Sequence, residues 1–270
     1  VLTHDMIVAG VHFLPNDPPQ DVAWKLIAVN LSDLAAKGAV PMGILLGAGL
    51  TGDAGWNAGF TDGLRDACVH FGVPLLGGDT VKMPAGSVVT LGLTAIGRAS
   101  GTVPSRSGAR PGDGVYIAGV IGDAGLGLRI LQSGAEGPAS LIAAYRRPLP
   151  LLETGRMLAG AVTAMMDISD GLLIDASRMA VASDVAIMID LDAVPLSSDA
   201  IAYAGSDRAA RLAAATAGDD YALLFTSTLP LPPGPSRITR IGKVTRGSGL
   251  ILNDGDGDVP MPTSLGWEHG

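Results

Sequence analysis

Apolar and polar positions in the first hundred residues alternate between a helical period and a strand period. In "QDVAWKLIAVNLSDLAAKG" (20–38), apolar residues recur at helical spacing from Val22 to Leu34, and Gly38 follows as a typical C-terminal stop. A second helical pattern covers 54–71. Four apolar runs bounded by turn residues predict strands at 1–8, 41–50, 73–79 and 87–97.

A similar alternation follows residue 113. The predicted strands lie at 114–119, 185–191, 221–227 and 237–244, together with the apolar run 162–166. The predicted helices lie after the glycine-rich turn in "VIGDAGLGLRILQSG" and at 138–146, 150–161 and 206–217, and another helical pattern follows "MDISDG". The tail beyond Gly247 is predicted to consist of turns.

The segment "RASGTVPSRSGARPGD" (98–113) separates these two regions. It is dense in Gly, Pro and Ser, which is typical of a domain boundary. We therefore predict an α/β protein of the α+β type, with two mixed-sheet domains at 1–106 and 107–270. Because the chain begins inside a strand pattern and without a Met, we expect an upstream segment to be missing.

Composition narrows the function. Lys and Arg number 18 against 26 Asp and Glu, a net charge of -8, which argues against a nucleic-acid partner. The sequence contains no run of about 18 apolar residues, so no membrane span is predicted. The single cysteine, Cys68, excludes an internal disulfide and is expected to be a buried structural thiol in a reduced compartment. We therefore expect a cytoplasmic protein.

Clustered carboxylates are the main chemical feature. "MDISDGLLID" (166–175) places Asp167 and Asp170 at a strand-to-helix turn, and "LLGGDT" ends a strand pattern on two glycines and Asp79. Asp5 lies inside an apolar strand pattern, where an aspartate needs a partner. Carboxylates that converge in apolar surroundings repel each other unless a cation lies between them. Together these positions favour a divalent-cation site built from oxygen ligands.

Some of these positions also have a simpler explanation, although capping leaves Asp167 without one. Ser169 or Asp170 would cap the following helix, and Asp79 would belong to an ordinary turn. Asp33 would pair with Lys37 at i,i+4 on a solvated helix face.

Other polar positions are weaker evidence for a functional site. His12, taken alone, is typical of a partly buried histidine, and Asp175 is expected to be a surface charge. "NDGDGD" (253–258) lacks the Gly and Glu that an EF-hand requires further along, so we interpret it as a turn. Arg106 either reaches a nucleotide phosphate or is a solvated loop arginine. Neither a P-loop nor the protein-kinase signature set occurs.

Seven motifs occur in the order seen in one family of enzymes. They are "DMIVAGVHF", "VNLSDLAAKGAVP", "LLGGDT", "RSGARPGD", "MDISDGLLID", "GDDYALLFT" and "GWEHG". In these motifs, over nearly its whole length, the chain resembles thiamine-monophosphate kinases of the aminoimidazole ribonucleotide synthetase superfamily.

The resemblance implies Mg²⁺-dependent transfer of the γ-phosphoryl group of ATP to thiamine monophosphate, giving thiamine diphosphate. It also implies a homodimer, whose N-terminal domains join in a β-barrel, followed by a C-terminal α/β domain. The nucleotide would lie in a cleft near the dimer interface. The acceptor is already an ionised phosphate, so positioning and charge neutralisation suffice and no strong base is needed.

The resemblance also assigns roles by position. The implied Mg²⁺ positions are Thr3, Asp5, Asp33, Asp79, Asp167 and Asp170, with Asp79 and Asp170 as catalytic residues. The implied nucleotide contacts are Gly78, Asp79, Arg106 and Ser169. The implied contacts to thiamine monophosphate are His12, Asp219 and Trp267, the last by stacking.

The sequence departs from the family pattern at several points. His4 replaces a usual Thr or Ser, Ala9 a common Glu, and Asp219 a longer Glu. The family's upstream glycine–aspartate metal motif is absent from the sequence. The alternatives are another superfamily enzyme, such as a selenophosphate synthetase or a hydrogenase-maturation enzyme, or a non-catalytic metal- or nucleotide-binding module. The hydrogenase-maturation type would carry a C-terminal cysteine, which "GWEHG" lacks.

Overall fold

Eleven strands and eight α-helices lie within residues 1–229, 231 and 234–268, which the computed structural model describes. The strands are β1 (Leu2–Val8), β2 (Val40–Leu50), β3 (Leu75–Lys82), β4 (Thr90–Arg98), β5 (Gly114–Ala118), β6 (Ala164–Asp167), β7 (Ala186–Asp190), β8 (Leu223–Ser227), β9 (Ile238–Thr245), β10 (Gly249–Asp254) and β11 (Gly257–Asp258). The helices are α1 (Pro19–Ala36), α2 (Ala54–Phe71), α3 (Asp123–Ser133), α4 (Ala139–Arg146), α5 (Leu152–Leu158), α6 (Leu172–Ser183), α7 (Ser198–Ala204) and α8 (Arg208–Ala215).

The N-terminal elements form a four-stranded mixed sheet in the order β1-β4-β2-β3. The first three of these strands pair antiparallel, and β2 pairs parallel with β3. Both α1 and α2 pack their apolar side chains on one face, and Leu26, Leu31, Leu91 and Leu93 are fully buried there. The helices therefore cover one side of this sheet and leave the other side uncovered.

The C-terminal elements form a seven-stranded mixed sheet in the order β11-β10-β7-β9-β5-β8-β6. Within it, β7 and β10 pair parallel and the other neighbours pair antiparallel. A mixed α/β fold with two sheets is thus confirmed. In the part of this chain that the structure describes, neither sheet closes into a barrel.

The periodicity predicted most elements correctly. Each predicted strand and helix has a counterpart, and "NDGDGD" forms the tight β10–β11 hairpin rather than a metal loop. The prediction of a turn-rich tail is wrong, because β10 joins the sheet beside β7. The short helix α7 was not predicted. Cys68 is half-buried in α2, and burial raises the pKa of its thiol.

Helix α1 joins the two sheets. Ala35 and Ala36, at its C-terminal end, pack against Met165, Leu223 and Phe225 of the second sheet. The backbone of α5 comes so close that a Cβ at Gly155 would lie 2.0 Å from the carbonyl oxygen of Ala35. Only a glycine fits at this crossing.

Polar contacts fix the N-terminal end of the same helix. The indole Nε1 of Trp24 donates to the carbonyl oxygen of Pro148 at 3.0 Å. Arg146 pairs with the buried Asp17 at 2.8 Å, and Arg147 pairs with Asp21. Both ends of α1 are therefore attached to the C-terminal half.

No helix among the described residues is long and apolar enough to cross a membrane.

Candidate active site

A cavity of about 760 Å³ opens where α1 and β1 meet the turns of the C-terminal half. The turn after β6 and the loop before β8 contribute one part of its wall, and α3 contributes another. This volume is within the range of pockets that bind small molecules.

Most of the predicted site residues line this one cavity. They are Asp5, Asp33, Asp167, Asp170, Ser169, His12, Asp219 and Trp267. They come from positions up to 262 residues apart in the sequence, from residue 5 to residue 267. The predicted metal, nucleotide and substrate positions therefore meet at a common cavity, although their roles stay predictions.

Four predicted positions lie elsewhere. Gly78 and Asp79 are in β3, three strands from β1 in the sheet order, which is about 14 Å at the usual strand spacing. Arg106 lies in the segment between the sheets, where its positive charge helps to lower the pKa of Lys37, after the larger effect of burial. Thr3 does not line the cavity, but its hydroxyl donates a hydrogen bond to Asp33, which does.

The carboxylates in the cavity are close enough to affect one another. Burial is the main cause that raises the pKa of Asp5 to about 6, and the charges of Asp33 and Asp170 raise it further. Burial and the charge of Asp33 raise the pKa of Asp167 to about 7. These groups take up protons more readily than ordinary aspartates because their negative charges are buried together.

Asp33 and Asp167 already accept hydrogen bonds from neighbouring side chains. Asp33 accepts a hydrogen bond from the hydroxyl of Thr3 in β1, in place of the predicted pairing with Lys37. The hydroxyl of Ser32 donates to Asp167 at 2.6 Å. Among the described residues, no three His, Cys, Asp or Glu side chains converge closely enough to hold a metal ion as they stand. The metal site therefore remains a prediction supported by its oxygen donors.

Asp175 corrects one prediction. It is fully buried rather than a surface charge, and its Oδ2 accepts the backbone N–H groups of Ser169 and Asp170 at 3.1 and 3.2 Å. Arg178 bridges Asp175 at 2.8 Å and Asp170 at 2.5 Å. The capping interpretation of Ser169 and Asp170 is also wrong, because α6 begins without a side-chain cap. Asp175 is the residue that shapes this turn.

The loop before β8 is bonded directly to the same turn. The N–H of Asp219 donates to the carbonyl of Ser169 at 2.7 Å, and that of Tyr221 donates to Ile168 at 2.8 Å. Asp219 and Tyr221 have positive φ angles of 70° and 51°, unusual for residues with a Cβ. These bonds hold the loop in a conformation that it would otherwise rarely adopt.

The C-terminal segment completes this arrangement. The N–H of Trp267 donates to the carbonyl of Asp170 at 2.8 Å, while the indole is about half-exposed at the cavity. A Cβ at Gly266 would lie 2.4 Å from that same carbonyl oxygen, so glycine permits the close approach. Two predicted substrate contacts are therefore bonded to the turn that carries the predicted metal and nucleotide residues.

Sequence reasoning missed the partners that hold these groups. Lys25 binds Asp219, Ser32 binds Asp167, and Arg178 binds Asp170. Asp220 is partly buried and accepts a hydrogen bond from the N–H of Gly122 at the start of α3, and burial raises its pKa well above the usual range. One of these pairs had a signal in the sequence. Lys25 lies within the apolar pattern of α1, and a buried lysine needs an anionic partner.

Comparison with family models identifies the class of protein. Residues 1–99 match the model described as "AIR synthase related protein, N-terminal domain", and residues 110–254 match "AIR synthase related protein, C-terminal domain". The chain therefore belongs to the AIR synthase related class.

Similar proteins narrow this class further. The thiamine-monophosphate kinase of Escherichia coli K12 is 38% identical, over 83% of this chain and 70% of its own length. That of Aquifex aeolicus is 32% identical, over 100% of this chain and 87% of its own length. Among solved structures, AaThiL complexed with AMPPCP and TMP superposes with a TM-score of 0.88 at 31% identity, covering 98% of this chain and 86% of that one. The chain belongs to the thiamine-monophosphate kinase family.

A more distant likeness concerns the fold alone. The hydrogenase maturation protein HypE, solved in complex with ATP, superposes with a TM-score of 0.78 at 20% identity, covering 98% of this chain and 85% of that one. It shows how widely this architecture is shared.

The metal-free protein should lose stability as the pH rises from about 4 to about 7. Asp5 and Asp167 have folded-state pKa values of about 6 and 7 against 3.8 for an ordinary aspartate, so in this window the folded chain binds more protons than the unfolded chain. The free energy of unfolding then falls as pH rises, and the slope ends above the folded pKa values. Urea denaturation from pH 4.5 to 8 measures this.

The Asp5→Asn/Asp167→Asn double variant provides the control, because neither amide titrates. Its stability should change less with pH than that of the wild type. A wild-type stability that rises between pH 5 and 7, or an equal slope in both proteins, would contradict the electrostatic interpretation.

Proposed function

We propose that the cavity binds ATP and thiamine monophosphate together and that the chain transfers the γ-phosphoryl group between them. The bond from the γ-phosphorus to the β-phosphate oxygen breaks, and a bond to an oxygen of the acceptor phosphate forms, giving ADP and thiamine diphosphate. One observation carries the proposal: the backbone hydrogen bonds join Asp219 to Ser169 and Trp267 to Asp170. The proposed contacts to the two substrates are thus fixed relative to each other.

The reaction needs no strong base in the protein. The acceptor oxygen belongs to a phosphate that is largely ionised at neutral pH, so no proton has to be removed before attack. What the protein must supply is alignment of two negatively charged groups and relief of their repulsion.

We propose that Mg²⁺ is bound through Asp5, Asp33, Asp167 and Asp170. The donor set fits, because these are hard oxygen ligands whose mutual repulsion a cation would relieve. When bound, Mg²⁺ would offset the negative charge of the phosphates. Asp170 serves as the central catalytic carboxylate, and the Asp175–Arg178 pair fixes its turn.

The other proposed contacts come from the cavity wall and, for Arg106, from outside it. Ser169 faces the nucleotide, and Arg106 reaches one of its phosphates from the segment between the sheets. Asp219, His12 and Trp267 receive thiamine monophosphate, with the half-exposed indole of Trp267 available for stacking on an aromatic ring. Asp219 supplies the negative charge that suits a cationic thiazolium ring.

Replacing Asp170 with Asn should lower kcat by at least about 100-fold, because it removes a charge that acts at the phosphoryl group. Formation of thiamine diphosphate from ATP, Mg²⁺ and thiamine monophosphate is measured by chromatography. Asp66→Asn, an exposed change on α2, is the matched control and should leave kcat unchanged.

Two outcomes would contradict this proposal. If the wild type binds ATP and Mg²⁺ but forms no thiamine diphosphate, the chain acts on another substrate of the AIR synthase related class. If Asp170→Asn turns over at the wild-type rate, Asp170 only stabilises its turn through Arg178.

We also propose a homodimer formed through the uncovered face of the N-terminal sheet. Leu2, Met6 and Leu45 on this face are 72%, 51% and 40% exposed, a row of apolar groups that monomeric proteins usually bury. The register aligns Met6 with Gly92, Gly47 and Asp79 across the sheet, so Asp79 shares this face. A second copy packed here would bring its own Gly78 and Asp79 to the nucleotide.

Leu45→Glu should convert the dimer into a monomer, because it places a charge in the apolar contact. Light scattering after gel filtration should give twice the chain mass for the wild type and once for the variant. Val69→Glu, on the outer face of α2 where Val69 is 77% exposed, should leave the dimer intact. A monomeric wild type, or a dimeric Leu45→Glu variant, would overturn this interface.

A further inference from the structure

Lys25 is a buried cation that pairs with the carboxylate of Asp219. It lies within α1, is 2% exposed, and its Nζ is 2.7 Å from Oδ2 of Asp219, 194 residues further along the chain. The ammonium also lies 4.0 Å from the centre of the Tyr145 ring, over the face that attracts cations. An ammonium this deeply buried is retained only where its charge is compensated.

The two members of the pair differ in exposure. The side chain of Lys25 is 3% exposed, whereas that of Asp219 is 30% exposed, and both line the cavity. A ligand in the cavity therefore reaches the carboxylate far more readily than the ammonium behind it. This difference favours a role for Lys25 that is exerted through Asp219.

Both oxygens of Asp219 are held by the protein. Oδ2 accepts from Lys25, and Oδ1 accepts from the hydroxyl of Tyr221 at 3.0 Å. The backbone of Asp219 has a φ of 70°, in the left-handed region. Because this conformation is unfavourable for a residue with a Cβ, it is maintained by the backbone bond to Ser169 together with these two side-chain contacts. Lys25 provides the charged one.

We propose that Lys25 is a positioning residue for the binding of thiamine monophosphate. It fixes the orientation of Asp219, and with it the face that the loop before β8 presents to the substrate. This inference rests on the proposed function, since it takes Asp219 as a contact to thiamine monophosphate. It adds a residue on the opposite side of the cavity, in the N-terminal half, that determines substrate affinity.

The test is a comparison of kinetic constants in the full-length chain. Lys25→Met should raise KM for thiamine monophosphate by about 10-fold or more, because the loss of a buried partner releases Asp219. The KM for ATP should stay within about twofold, a separation that a general loss of structure would not produce. Lys243→Met, an exposed lysine on β9, is the matched control and should change neither constant.

A double variant separates positioning from packing. Asp219→Asn alone should raise KM for thiamine monophosphate, and adding Lys25→Met should raise it little further, because the two residues act as one unit. If Lys25→Met does not fold, Lys25→Gln retains a hydrogen-bond donor without the charge and is expected to raise the same KM.

The outcomes distinguish this inference from the function on which it rests. A wild type that forms no thiamine diphosphate overturns both. An active wild type overturns the role of Lys25 alone if the folded Lys25 variants keep the wild-type KM for thiamine monophosphate. The role is also overturned if both KM values rise equally, or if the effects of Lys25→Met and Asp219→Asn are fully additive.

Discussion

The structure depends on the polar side chains that α1 buries against its neighbours. Lys25 and Ser32, seven residues apart and therefore on one helix face, bind Asp219 and Asp167 of the C-terminal half. Asn30 accepts the backbone N–H of Asp5 at 3.0 Å and so attaches the same helix to β1. A buried polar group without a partner is strongly unfavourable, so these bonds fix how the two sheets meet.

This constraint supports the proposal that one cavity binds two substrates. The turn after β6 receives hydrogen bonds from the loop before β8 and from the C-terminal segment, so its backbone is shared by both proposed binding regions. Asp175 and Arg178 support that turn from within α6. Binding energy at the thiamine end can therefore position the acceptor relative to the nucleotide, which is how phosphoryl transfer is accelerated without a base.

Local features of the sequence predicted local structure well. Periodicity located the helices and nearly all strands, and carboxylates in apolar surroundings indicated the cavity wall. Contacts across the chain were not predictable in this way: Asp175 looked like a surface charge because Arg178 and the folded turn are needed to bury it. The strand β10 was missed because its stability comes from pairing with β7, not from its own pattern. Asp79 lies three strands from the strand that carries Asp5, so its proposed role requires the proposed dimer, which a single-chain pattern does not encode.

The most direct test of the α1 constraint is hydrogen exchange at the backbone amides of Asp219, Tyr221 and Trp267. All three donate to the turn at 168–170, which follows the residue held by Ser32. Loss of the Ser32 hydroxyl leaves a buried carboxylate without that bond, at a cost of about 1–3 kcal/mol. In Ser32→Ala the three amides should exchange about 10- to 100-fold faster, and together, whereas the exposed change Ser248→Ala should leave them unchanged. Unchanged exchange in Ser32→Ala, or faster exchange at only one of the three amides, would contradict the dependence of the site on α1.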